Sequence, residues 1–153
     1  MAAFTSIRME KIRELQPDLI LGFSDLQKDI SRDLVGEGFN VLFTNQRTLQ
    51  EIGAALLAIG RILGLEEKSV ELCDQFFSEI EALAEKKTKS NRPRVYFEEW
   101  DNPLISGISW VSELIEKLGG QDVFRNKSSN KIATQRIVTS QEVAEANPEI
   151  ILA

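Results

Sequence analysis

An α/β fold of two parallel-sheet, Rossmann-like lobes bridged by one long helix is predicted from three features of the 153-residue sequence. Short apolar runs alternate with segments of helical periodicity. One stretch, Glu66 to Lys87, keeps helical spacing with no proline or glycine. A helix–proline–acid–strand unit stands on each side of that stretch.

The elements follow in order. Ser6 to Leu15 reads as a short helix that stops before Pro17, because the residue preceding proline disfavours the α region. Leu19 to Leu21 is a short apolar run, as in a buried parallel strand. Ser24-Asp25-Leu26-Gln27 has capping-box spacing and opens a helix to about Val35, with Gly36 and Gly38 as the stop. Phe39 to Phe43 is the next strand. Thr48-Leu49-Gln50-Glu51 is a second capping box, and its helix ends at Gly64. The long helix follows; about 20 helical residues span roughly 30 Å, the width of a small domain. Cys73 lies on its apolar spacing and reads as a buried structural thiol. Five basic residues fall between Lys86 and Arg94. They read as cations at a helix C-terminus plus a solvated linker, rather than as an anion-binding patch.

Arg94 to Phe97 restarts strand character, and a helix is expected from about Trp110 to Leu118, stopped by Gly119-Gly120. Residues 125 to 135 are polar and read as an exposed loop. Thr139-Ser140-Gln141-Glu142 is a third capping box, whose helix ends at Asn147-Pro148. Ile150 to Leu152 is the last strand.

The two repeated units align on their prolines. In the first, Gln16, Pro17 and Asp18 precede Leu-Ile-Leu; in the second, Asn147, Pro148 and Glu149 precede Ile-Ile-Leu. Ile12 then matches Val143, and Glu14 matches Glu145. The pattern predicts pseudo-equivalent halves: residues 1–64 as part of an N-terminal lobe, 65–90 as the bridging helix and 91–153 as part of a C-terminal lobe. Sheets this small bury little, so further sequence is expected beyond both ends.

Composition narrows the function. The chain is 42% hydrophobic and 27% charged, with a formal net charge of -6. An acidic balance argues against nucleic acid as a partner. No run of ~18 apolar residues could span a membrane, and no secretory signal is visible at the N-terminus. There is no histidine and a single cysteine, which removes the histidine-based catalytic dyads and most zinc sites. No catalytic residue and no bound metal are therefore expected. Glu98, Glu99 and Asp101 place three carboxylates near a strand end. Adjacent strand residues point to opposite faces, so Glu98 and Glu99 cannot share one pocket in a regular strand. A polar rim contacting ligand is the reading preferred over an acid–base pair.

The runs MEKIRELQPDLILGFSDLQKDI and RVYFEEWDNPLISGISWVSELIEKLGGQDVF, with the long helix between them, resemble the periplasmic-binding-protein family of the cobalamin and iron(III)-siderophore importers. This is the helical-backbone type of ABC-transporter substrate-binding protein. The resemblance implies two α/β lobes with ligand in the cleft between them, and it places part of each lobe outside this sequence. It implies no cofactor, a cobalamin or ferric-chelate ligand, a membrane permease as partner, a monomeric chain and a periplasmic or cell-surface location. A cytoplasmic corrinoid-binding relative, acting as sensor or carrier, is the alternative.

Carried over by position, Phe23 ends the strand PDLILGF, where the family places a cleft residue that is often aromatic. Trp100 and Asp101 are similar to the opposing rim, and Trp110 opens the next helix, facing either cleft or core. Aromatic faces suit a corrin ring or a siderophore, because they give large contact area at low entropic cost. The family docks on its permease through one acid per lobe. Glu10 stands seven residues before Pro17, at that position. The same offset from Pro148 falls on Gln141, a departure that leaves the neighbouring Glu142 as the candidate.

Overall fold

Proline and a left-handed cap end the first helix, as the sequence requires. In the computed structural model, which describes residues 6–86 and 92–153, α1 (Met9–Leu15) closes on Gln16 at φ 44° and ψ 54°. Its first turn begins later than Ser6, at an uncapped Arg8. The chain divides into two compact units, Met1–Gln46 and Arg47–Ala153.

The first unit is a strand–helix–strand motif. Strand β1 (Ile20–Phe23) pairs in parallel with β2 (Val41–Thr44), Ile20 opposite Val41 and Phe23 opposite Thr44. A 3-10 turn at Asp25–Gln27 leads into α2 (Lys28–Gly36), whose Leu34 is the buried anchor of the unit. The capping box expected at Ser24 takes another form. Ser24 sits at φ 79°, its hydroxyl accepts from Leu26 N at 3.3 Å, and Gln27 Oε1 accepts from Phe23 N at 3.0 Å. A true box needs an extended N-cap backbone, which this φ denies.

The second unit starts with a helical hairpin. The Thr48–Glu51 capping box forms as expected and opens α3 (Leu49–Ile62); α4 (Glu66–Glu85) returns along it after Gly64 at φ 66°. Gly53 and Gly60 lie two turns apart on the contact face. A Cβ on Gly60 would collide with Ser69, and one on Gly53 would meet the Phe77 ring at 2.7 Å. Cys73 is half-buried in the same seam rather than fully buried. Lys87 and the basic run as far as Asn91 lie outside the described residues.

A four-stranded sheet completes the unit. Strand β3 (Arg94–Asp101) is its centre. Antiparallel β4 (Leu104–Ser106), parallel β5 (Gln121–Asp122) and parallel β6 (Ile150–Leu152) all pair with β3. Helix α5 (Ser109–Lys117) ties the sheet to the hairpin: Glu113 Oε2 accepts from Leu49 N at 2.9 Å, and Lys117 pairs with Glu81 at 2.5 Å. Tyr96, Phe124 and Val138 form the core, packed by Leu104 and Val143. The Tyr96 and Phe124 rings meet edge to face at 5.5 Å, a favoured aromatic arrangement.

One expectation changes here. The span 125–135 is not one exposed loop: it holds α6 (Arg125–Ser128) and a 3-10 turn that ends at Arg136. Its order comes from tertiary hydrogen bonds that no apolar periodicity announces, such as Ser109 Oγ to Ser128 O at 3.0 Å and Lys127 Nζ to Ile137 O at 2.8 Å. The last helix, α7 (Ser140–Ala146), forms on the predicted Thr139–Glu142 box. Strand β6 follows it, pairs with β3 alone among the described residues, and keeps its three aliphatic side chains exposed.

Candidate ligand-binding site

Phe23 stands at the C-terminal end of β1, partly exposed. The strand ends there because Ser24 turns into a positive-φ conformation, held by its N–H donating to Thr44 O at 2.8 Å. The C-terminal end of a parallel strand is where α/β sheets bind ligands.

In the second unit, Trp100 sits near the tip of the β3–β4 hairpin with 61% of its surface exposed. Its open indole leaves a flat aromatic face available for contact. It is also tethered: Nε1 donates to Asn102 O at 3.0 Å, just before the cis Asn102-Pro103 bond. Asp101 beside it is exposed, opposite Leu104.

The neighbouring carboxylates divide by role. The ladder shifts register between Glu98 and Trp100, so Glu99 is the extra residue of a β-bulge. Its carboxylate is taken by Arg136, whose Nη2 lies 2.7 and 2.8 Å from the two oxygens. Arg136 is only 1% exposed. Glu99 is thus a structural partner, not a free rim group. Glu98 faces Tyr96. Burial, with the negative charge of Glu98 added, pushes the Tyr96 phenol up to about 12.

Trp110 has a different setting. It lines an apolar groove of about 340 Å³ with Phe97, Leu114, Ile150 and Leu152, a groove to which neither Trp100 nor Asp101 contributes. This groove therefore does not bring the two tryptophans together.

The two candidate docking acids also differ. Glu10 is exposed in the first turn of α1, with no ion pair among the described residues. Glu142 is engaged on both oxygens: Lys127 Nζ donates to Oε1 at 2.9 Å, and Thr139 N donates to Oε2 at 2.7 Å. The Lys127 hydrogen bond, then the Thr139 amide, hold the Glu142 carboxyl below its usual range. Among the described residues no cluster of three or more metal-ligating side chains exists, and no helix is long and apolar enough to cross a membrane.

Arg136 is the residue of the candidate region that sequence reasoning missed. It sits in a polar run with no spacing signal, and its partners Glu99, Ser106 and Asn130 converge on it only in the folded chain.

The chain is similar to known solute-binding proteins. It is 23% identical to the vitamin B12-binding protein of Vibrio campbellii, over 98% of this chain and 54% of that protein. It thus spans about half the length of the curated relatives it matches. The fold matches that of the periplasmic vitamin B12-binding protein of Vibrio cholerae, with TM-score 0.69, 21% identity, and coverage of 98% of this chain and 58% of that one. It also matches a periplasmic heme-binding protein of Roseiflexus, with TM-score 0.72, 18% identity, and coverage of 95% and 57%. The family described as periplasmic binding protein matches residues 1–153. The chain belongs to the periplasmic binding protein family.

Proposed function

We propose that this chain is the substrate-binding component of an ABC importer, capturing cobalamin or a ferric-siderophore-like metal chelate and delivering it to a membrane permease. The family is one of solute-binding proteins rather than enzymes. The observation that carries the ligand class is Trp100: an exposed indole, tethered through Nε1, offers a rigid flat face to a macrocycle. Relatives named for vitamin B12 and heme, both large flat metal chelates, support the same class.

In this reading Phe23, Trp100 and Asp101 contact ligand, while Trp110 lines its separate apolar groove. Glu10 and Glu142 are the permease-docking acids. Glu10 is the readier of the two, since Glu142 already satisfies Lys127 and the α7 cap. The same proposal includes a monomeric chain, a periplasmic or cell-surface location, and the division into 1–64, a 65–90 bridge and 91–153.

The test is a titration of the 153-residue chain with cyanocobalamin, cobinamide, hemin and a ferric hydroxamate, followed by calorimetry. Saturable binding of at least one, at about micromolar Kd or tighter, is expected. No heat and no thermal shift with any of the four contradicts the proposal.

A further inference from the structure

We infer that Arg136 is a positioning residue for Trp100, acting through the bulged Glu99; the functional weight of this rests on the proposed contact between Trp100 and ligand. Along β3, Glu98 pairs with Ser106 while Trp100 pairs with Ile105 and Asp101 with Leu104. Were the Glu98–Ser106 register continued without a shift, Trp100 would stand opposite Leu104. Cross-strand partners share a face, and Leu104 packs on the Tyr96–Phe124–Val138 core. A regular strand would likewise put Trp100 on the face of Tyr96 and Glu98. The extra residue moves Trp100 off the core face, because one residue of slip exchanges the two faces of a strand.

One guanidinium holds that extra residue. Arg136 Nη2 binds both Glu99 oxygens, Nε donates to Ser106 O at 3.2 Å, and Nη1 donates to Asn130 O at 3.2 Å. Ser106 Oγ returns a bond to Arg136 O at 3.1 Å. The arginine therefore grips β3 at the bulge and β4 at the residue opposite Glu98. The flanking chain reinforces the grip: Ile137 bridges to Ile105, and Val138 N donates to Leu104 O at 3.0 Å. A planar guanidinium with three nitrogens suits this task of holding Glu99, Ser106 and Asn130 at once, and lysine with its single nitrogen cannot reproduce it.

The experiment separates positioning from binding. In a Trp110→Phe chain Trp100 is the sole indole, and its fluorescence anisotropy is read without ligand before and after Glu99→Gln. A fall in Trp100 anisotropy in the folded variant is expected; an unchanged value overturns the inference. Affinities for cyanocobalamin and hemin are then compared with Trp110 intact. Glu99→Gln is expected to weaken the bound probe by about tenfold when Trp100 is present and by less than about twofold in a Trp100→Ala chain. Equal losses in both backgrounds assign Arg136 a merely structural role and overturn the inference. If Trp100→Ala alone changes no affinity, the ligand-contact reading of Trp100 fails, and the anisotropy still decides the positioning. Should Glu99→Gln fail to fold, Glu99→Met with Arg136→Met removes both charges together, and the same two readouts apply.

Discussion

Gln16 and Asn147 adopt the same left-handed backbone conformation, φ 44° ψ 54° and φ 47° ψ 58°, each capping a seven-residue helix and each followed by proline. The proline forbids continuation of the helix, and the left-handed residue turns the chain toward its strand. Asparagine tolerates this conformation better than glutamine, and glycine better than either. Gln16→Gly is therefore expected to stabilise by about 0.5–1 kcal/mol, and Asn147→Ala to destabilise by about 1 kcal/mol. Guanidinium denaturation of each variant checks this; shifts of the same sign in both would refute it.

The left-handed turn was not readable in the sequence, whereas the helix stop before each proline was, because its chemistry is local. So were the Thr48–Glu51 and Thr139–Glu142 boxes, which both form. Ser24 carried the same pattern, yet its positive φ redirects the hydroxyl to Leu26 N, a consequence of how β1 meets Thr44. The close seam at Gly53 and Gly60, the bulge at Glu99 and the burial of Arg136 depend on partners distant in sequence. Spacing along one strand cannot announce a register shift across two. For the candidate site, Phe23 at a strand end was legible as a position and Trp100 as a rim candidate; the hairpin that carries Trp100, which extends the strand from Phe97 to Asp101, and the arginine that holds it were not.

Tyr96 is the sole tyrosine, so its titration can be read directly at 295 nm. Burial first, and Glu98 next, raise its phenol from 10.0 to about 12. A raised acid keeps its proton in the fold, so its stabilising contribution is complete below pH 10 and lost as pH rises through about 12. Absorbance should therefore change little at pH 10 in the folded chain. An ordinary transition centred near 10 would contradict the burial described. Glu98→Gln is expected to lower the midpoint partway, leaving the burial contribution.

Thr139, Glu142 and Lys127 form one unit at the start of α7. Thr139→Ala is expected to cost about 1 kcal/mol through loss of the cap. Glu142 has a lowered native value, from Lys127 first and Thr139 second. Its contribution is present above the usual carboxylate range and is lost as pH falls through the native value. Glu142→Gln should thus reduce the acid-side slope of stability while leaving the alkaline side unchanged. An unaltered acid-side slope by thermal denaturation across pH would refute the pairing.

In the proposed function the exposed face of Trp100 receives a large flat metal chelate. Calorimetric titration of the wild-type chain and of Trp100→Ala with hemin and cyanocobalamin tests it most directly. Saturable binding of at least one of them to the wild type is expected, weakened by about tenfold or more when the indole is removed, as for an aromatic hot spot. Binding of neither probe by the wild type, or equal affinity in both chains, would contradict it.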